Sequence, residues 1–113
     1  MAARNDSEME ITNEEFNEII NNSHKLVVVD FFAEWCMPCV MMGPIVDEMS
    51  EKFKGKVKFG KVNVDENSGL AQRFDALSIP NFVVFKEGQK IEQFVGGMSA
   101  DDFEERLKGI LEK

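Results

Sequence analysis

Cys36 and Cys39 are the only cysteines among 113 residues, and they stand at a C-x-x-C spacing. A bond between them closes so short a loop that it removes little entropy from the unfolded chain, which makes it a poor staple. A secreted domain of this size held by disulfides usually carries more of them, placed to close longer loops. The spacing instead suits a bond that is made and broken, or a shared metal ion. Zinc normally takes four ligands and the pair supplies two, while His24, the single histidine, lies upstream in a polar stretch. A complete site within one chain would need carboxylates as well, and no metal is expected.

What a thiol pair can do depends on where it sits. Residues 26–32 form an apolar, valine-rich run, and the segment after Cys39 has helical spacing to residue 53. The cysteines therefore lie where a buried strand passes into a helix. Unpaired N–H groups and the helix dipole favour an anion there, so a thiol at that point ionises more readily than a free one. Cys36 comes first and is expected to be the more exposed of the two and the nucleophile. Cys39, one turn in, is placed to attack the mixed disulfide, so the couple cycles between dithiol and disulfide. Pro38 stiffens the turn and supplies no backbone donor.

Asp30 is the only ionisable residue between Leu26 and Ala33. If the strand runs through it, its carboxyl is buried, and burial disfavours the charged form. Such an acid behind Cys39 can take and return a thiol proton, directly or through one water. The alternative is a strand that ends at Val29 and leaves Asp30 exposed; Phe31 and Phe32 extend the apolar run and favour burial. Lys61 shares strand parity with Val57 and Phe59, so its ammonium either projects inward toward Asp30 or stays at the surface. Trp35, Met37 and Ile79 together could form an apolar rim that docks partner proteins, since methionine adapts to varied surfaces. The lysines at 52, 54, 56 and 58 fit solvated gatekeepers of a strand start.

Several elements must position these groups. A short strand is expected near residues 9–11, then a helix with a Thr12–Glu15 capping box and Phe16, Ile19 and Ile20 on one side. The central strand at 26–32 leads to the cysteine helix, whose apolar residues are Val40, Met41, Ile45, Val46, Met49 and Phe53. Pro44 should kink that helix. A second inner strand follows at 57–64, then a short helix at 66–74. The Ser78-Ile79-Pro80 loop leads into strand 81–85, and Glu87-Gly88 turns it into strand 91–95. Ser99 can cap a last helix with Phe103, Leu107, Ile110 and Leu111 on one stripe. This order predicts an α/β fold: a three-layer sandwich with a mixed central sheet of four to five strands and helices on both faces.

Hydrophobic residues are 43% of the chain and charged residues 30%, which fits a globular protein of one domain. Residues 9–113 are expected to form it, behind a flexible tail at 1–8. With 13 basic against 21 acidic residues the net charge is -8, which disfavours nucleic acid and anionic membranes as partners. No apolar run reaches the roughly 18 residues of a membrane span, and the polar start shows no secretory signal, so the cytoplasm is the expected location.

The segment Val29-Asp30-Phe31-Phe32-Ala33-Glu34-Trp35-Cys36-Met37-Pro38-Cys39 resembles the active-site segment of the thioredoxin family. Pro44 stands where that family kinks its active-site helix, and Lys61-Val-Asn-Val-Asp65 resembles its third strand. Ser78-Ile79-Pro80 resembles its cis-proline loop, and Val95-Gly96-Gly97 its substrate-facing glycine loop. The resemblance implies a thioredoxin-like fold and a protein disulfide reductase without a cofactor. It implies that Cys36 attacks, that Cys39 resolves, and that the two close a disulfide which a thioredoxin reductase reopens. Asp30 takes the place of the family's buried acid and Lys61 that of its partner lysine. Trp35, Met37, Pro38, Ile79, Pro80 and Gly96 fall at client-facing positions, with Pro80 cis and the Ile79 backbone turned to the cysteines. The implied partners are disulfide-containing proteins, met by a monomer. A disulfide oxidant or isomerase, or a binding module with incidental cysteines, are the rival readings. Met37 stands for the family's usual Gly, Phe32 for a common Trp, Val40 for a common Lys and Asn81 for a common Thr, which bears on redox potential and choice of reductase.

Overall fold

Six of the seven residues from Leu26 to Phe32 are buried, and a strand with that pattern must be covered on both faces. The computed structural model, which describes residues 9–113, places it in the middle of a five-stranded sheet. In chain order the elements are β1 (Met9–Glu10), α1 (Phe16–Asn21), β2 (Leu26–Phe32), α2 (Met37–Lys52), β3 (Val57–Asn63), α3 (Ser68–Arg73), β4 (Asn81–Lys86), β5 (Gln89–Val95) and α4 (Ala100–Leu111). The sheet order is β1-β3-β2-β4-β5; β1, β3 and β2 are parallel, and β4 and β5 run against their neighbours. The expected three-layer α/β sandwich is therefore present, with five strands. The tail expected over residues 1–8 lies outside the described residues.

Side chains alternate along β2 and feed two cores. Leu26 and Val28 face Met42, Val46 and Met49 of α2 and Phe103, Leu107 and Ile110 of α4. Val27, Val29 and Phe31 face the other way, onto Phe16 and Ile20 of α1 and Leu70 and Ala71 of α3. Phenylalanine rings knit both layers. Phe103 lies 5.1 Å from Phe82 and 5.9 Å from Phe94 between ring centroids, and Phe74 lies 5.3 Å from both Phe16 and Phe85. Glu104 of α4 accepts from Lys52 of α2 at 2.8 Å, and Lys108 lies 3.1 Å away. These lysines hold the Glu104 carboxyl below its ordinary range. No helix among the described residues is long and apolar enough to cross a membrane.

Local chemistry explains most boundaries. Glu87 and Gly88 both have positive φ, 51° and 84°, the pattern of a two-residue hairpin turn that matches strand twist. Ser99 Oγ accepts the Asp102 N–H at 3.1 Å and caps α4. The Thr12–Glu15 capping box does not form. The Thr12 hydroxyl donates to the Glu15 carboxylate at 3.1 Å, the chain makes a turn, and α1 starts only at Phe16. Pro44 sits inside α2, which continues on both sides of it. The buried stripe of α2 is Cys39, Met42, Val46 and Met49, while Val40 and Met41, though apolar, face solvent. Apolar residues surround this helix, and spacing alone could not say which side the sheet takes.

Phe103 is fully buried among Phe59, Phe82 and Phe94. Replacing it with alanine leaves a ring-sized void between α4 and the sheet. Phe103→Ala is expected to lower unfolding free energy by about 3–5 kcal/mol in a denaturant titration. A loss below about 1 kcal/mol would show that α4 is not held by this cluster.

Candidate active site

At its C-terminal end β2 leaves the sheet through a tight loop, in which the Cys36 N–H reaches the Ala33 carbonyl at 3.2 Å. Cys36 is the N-cap of α2, in extended conformation, with Met37 and Pro38 in the first turn. Pro38 removes one orphan donor of that turn. The next, the Cys39 N–H, points at Cys36 Sγ over 3.3 Å. The two cysteines are joined as a disulfide with their Cα atoms 5.2 Å apart. The sulfur expected to attack is thus the one that a backbone N–H and the positive end of a long helix both address.

Exposure departs from expectation. Cys36 was to be the more accessible cysteine, yet Cys36 is 5% exposed and Cys39 6%. Ala33, Cys36 and Cys39 form a small apolar cluster roofed by Phe32, Val64 and Ile79. With the bond closed, Cys36 Sγ turns inward and lies 3.8 Å from the Ile79 carbonyl oxygen. What is exposed is the rim: Trp35, Met37, Val40 and Met41 are all more than half accessible.

Asp30 is 5% exposed, so the strand does run through it. It shares the face of β2 that carries Leu26 and Val28, the face covered by α2. Lys61 stands beside it in register on β3, on the same face, and Phe82 is opposite on β4. Lys61 is half-exposed, and its ammonium lies 5.4 Å from the centroid of the Phe32 ring. The structure thus brings Asp30 and Lys61 to adjacent positions on the sheet face that α2 covers. His24 is exposed at the far end of β2. Among the described residues no group of three or more His, Cys, Asp or Glu gathers to hold a metal ion.

Two further segments close around the cysteines. The Ile79–Pro80 bond is cis, as the resemblance implies, and the Pro80 carbonyl accepts the Gly96 N–H at 2.8 Å. Gly96 has φ of +102°, a conformation that side chains rarely adopt, and a Cβ built on neighbouring Gly97 would lie 3.9 Å from Pro38. Pro38, Ile79, Pro80 and Gly96 therefore meet at one end of the sheet, with Trp35 and Met37 beside them.

Sequence reasoning gave no role to the residues that hold these segments in place. The Trp35 indole N–H donates to Asp65 at 2.9 Å, and the Asp65 N–H donates to buried Asn63 at 2.9 Å. The lone indole donor was a usable signal, because such a group normally finds an acceptor. Asn81, 1% exposed, donates to the Ser78 carbonyl at 3.2 Å and accepts from Gln93 at 2.9 Å. Gln93 also donates to the Phe74 carbonyl at 2.8 Å. These amides tie the loop that ends at Pro80 to β5.

Comparison with known proteins agrees with this geometry. The thioredoxin family model matches residues 7–109. The chain is 38% identical to thioredoxin 1 of Nostoc sp. over 99 residues, 88% of this chain and 92% of that one. It is 42% identical to thioredoxin of Synechocystis sp. over 89 residues, covering 79% and 83%. Against thioredoxin of Alicyclobacillus acidocaldarius it is 38% identical over 104 residues, 92% and 98% of the two chains.

Gln93→Leu removes the donor shared by the Phe74 carbonyl and the buried Asn81 side chain. Leaving those acceptors unpaired is expected to cost about 1–3 kcal/mol in a denaturant titration. An unchanged midpoint would mean that the loop is anchored without this amide.

Proposed function

The chain belongs to the thioredoxin family and is a protein thiol–disulfide oxidoreductase, and we propose that it runs as a reductase in which Cys36 attacks and Cys39 resolves. The observation that carries this division of labour is the position of Cys36 at the N-cap of α2, its sulfur accepting the Cys39 N–H. In the reduced protein the Cys36 thiolate attacks one sulfur of a client disulfide. The client bond breaks, its second sulfur leaves as a thiolate and takes up a proton, and a mixed disulfide joins client to Cys36. Cys39 then loses its proton and attacks Cys36 Sγ; the mixed bond breaks and the client's first sulfur leaves and is protonated. The client gains two electrons and two protons, and Cys36–Cys39 closes.

Asp30 is the acceptor we propose for the Cys39 proton, since it lies on the face of the sheet that α2 covers. Lys61, its neighbour in register, is the group that moderates its charge. Trp35, Met37, Pro38, Ile79, Pro80 and Gly96 form the client surface. The Ile79 carbonyl next to Cys36 suits an extended client segment, which can add backbone hydrogen bonds as a strand does. A thioredoxin reductase reopens the couple, and the protein works as a monomer in the cytoplasm, where the thiol pool favours reduction. The net charge of -8 supports clients with neutral or basic surroundings over nucleic acid or anionic membranes.

Insulin reduction driven by dithiothreitol tests this. Wild type should accelerate precipitation of the insulin chains, and Cys36→Ser should fall to the rate of dithiothreitol alone. Cys39→Ser should trap clients as mixed disulfides through Cys36. Equal inactivity of wild type and Cys36→Ser, or trapping through Cys39 in the Cys36→Ser protein, would contradict the assignment.

A further inference from the structure

We propose that Met37 and Met41 are an oxidation site that controls client docking: a hydroperoxide converts their thioethers to sulfoxides while the cysteines are locked in their disulfide. The inference rests on the reading above, that a client settles over the rim around Cys36. Met37 and Met41 are 69% and 71% exposed, whereas Met42 and Met49 are 1% and 0%. The Met42 sulfur is further engaged as acceptor of the Met98 N–H, at 3.4 Å. Met37 opens α2 and Met41 follows at i+4, so the two share one face of the helix, next to Val40. Cys36 is 5% exposed and exposed Met37 follows it directly, so on this proposal a client that settles over the sulfur displaces water from this apolar face. Flexible thioethers fit many client shapes, and sulfoxides do not.

The chemistry is a two-electron oxygen transfer. The O–O bond of the hydroperoxide breaks, its outer oxygen bonds to methionine Sδ, and the sulfur supplies the electron pair. The remaining fragment leaves as water or an alcohol. While Cys36 and Cys39 are joined no thiolate competes for the oxidant, so the rim is modified when reducing equivalents are short. The product is polar and chiral, holds water on the rim, and keeps the protein off its clients until a methionine sulfoxide reductase removes the oxygen.

The disulfide form is treated with hydrogen peroxide and mapped by peptide mass. Met37 and Met41 should each gain one oxygen before Met42 or Met49 gains any. After removal of peroxide and reduction of the cysteines, the rate constant for insulin should fall about tenfold, the factor that about 1.4 kcal/mol of lost apolar burial corresponds to. The rate constant for glutathione disulfide, too small to span the rim, should stay within about twofold. The Met37→Leu/Met41→Leu protein, compared with its own untreated form, should lose no insulin rate on peroxide treatment. The proposal is overturned if treated and untreated wild type reduce insulin equally, if the double variant loses as much as wild type, or if Met42 and Met49 take up oxygen equally fast. An untreated wild type that leaves insulin intact overturns the functional reading, and this one with it.

Discussion

A sulfur atom at the open end of a helix is the constraint around which this protein is arranged. Cys36 Sγ takes the place that a serine or aspartate oxygen fills in an ordinary N-cap, and receives the Cys39 N–H over 3.3 Å. That hydrogen bond, with the dipole of the 16-residue α2 behind it, favours negative charge on one cysteine of the pair. Pro38 supplies no N–H to the same turn, which leaves the Cys39 N–H as the donor that meets the sulfur. On the proposed reading, backbone position makes two chemically identical thiols unequal, and the proposed order of attack and resolution rests on it.

Keeping that helix end in place occupies much of the remaining fold. Two aromatic cores press α2 and α4 onto one face of the sheet and α1 and α3 onto the other, so the C-terminal end of β2 has little freedom. Onto this end come two loops that are distant in sequence. The Ile79–Pro80 loop is tied by Asn81 and Gln93, and the Gly96 loop is tied by its bond to Pro80. Polar side chains at loop roots do what the apolar core cannot, since they fix direction as well as distance.

Much of this was legible in the chain. The valine run of β2, the alternation of strands and helices, the Ser99 cap and the Glu87-Gly88 turn are local signals, and each element stands within a few residues of its expected place. Asp30 was legible as buried because the apolar run continues past it. Cys36 exposure was misjudged because coverage comes from Ile79, forty-three positions away, through a contact that spacing cannot express. Val40 and Met41 are apolar yet face solvent: spacing shows a helix with apolar residues on more than one side, and the sheet, a tertiary partner, selects the face that is buried. Asp65, Asn81 and Gln93 were given no positioning role for a related reason. Their roles lie in hydrogen bonds to Trp35, Ser78 and Phe74, and polar residues at strand ends look alike until their partners are placed.

If helix geometry is what makes the two sulfurs unequal, their chemistry should differ in the folded, reduced protein at neutral pH. Timed alkylation with iodoacetamide, located by peptide mass, measures this directly. The account predicts that Cys36 is labelled first and that Cys39 resists until the protein is unfolded. Prior labelling of Cys39, or equal rates at both positions, would contradict it.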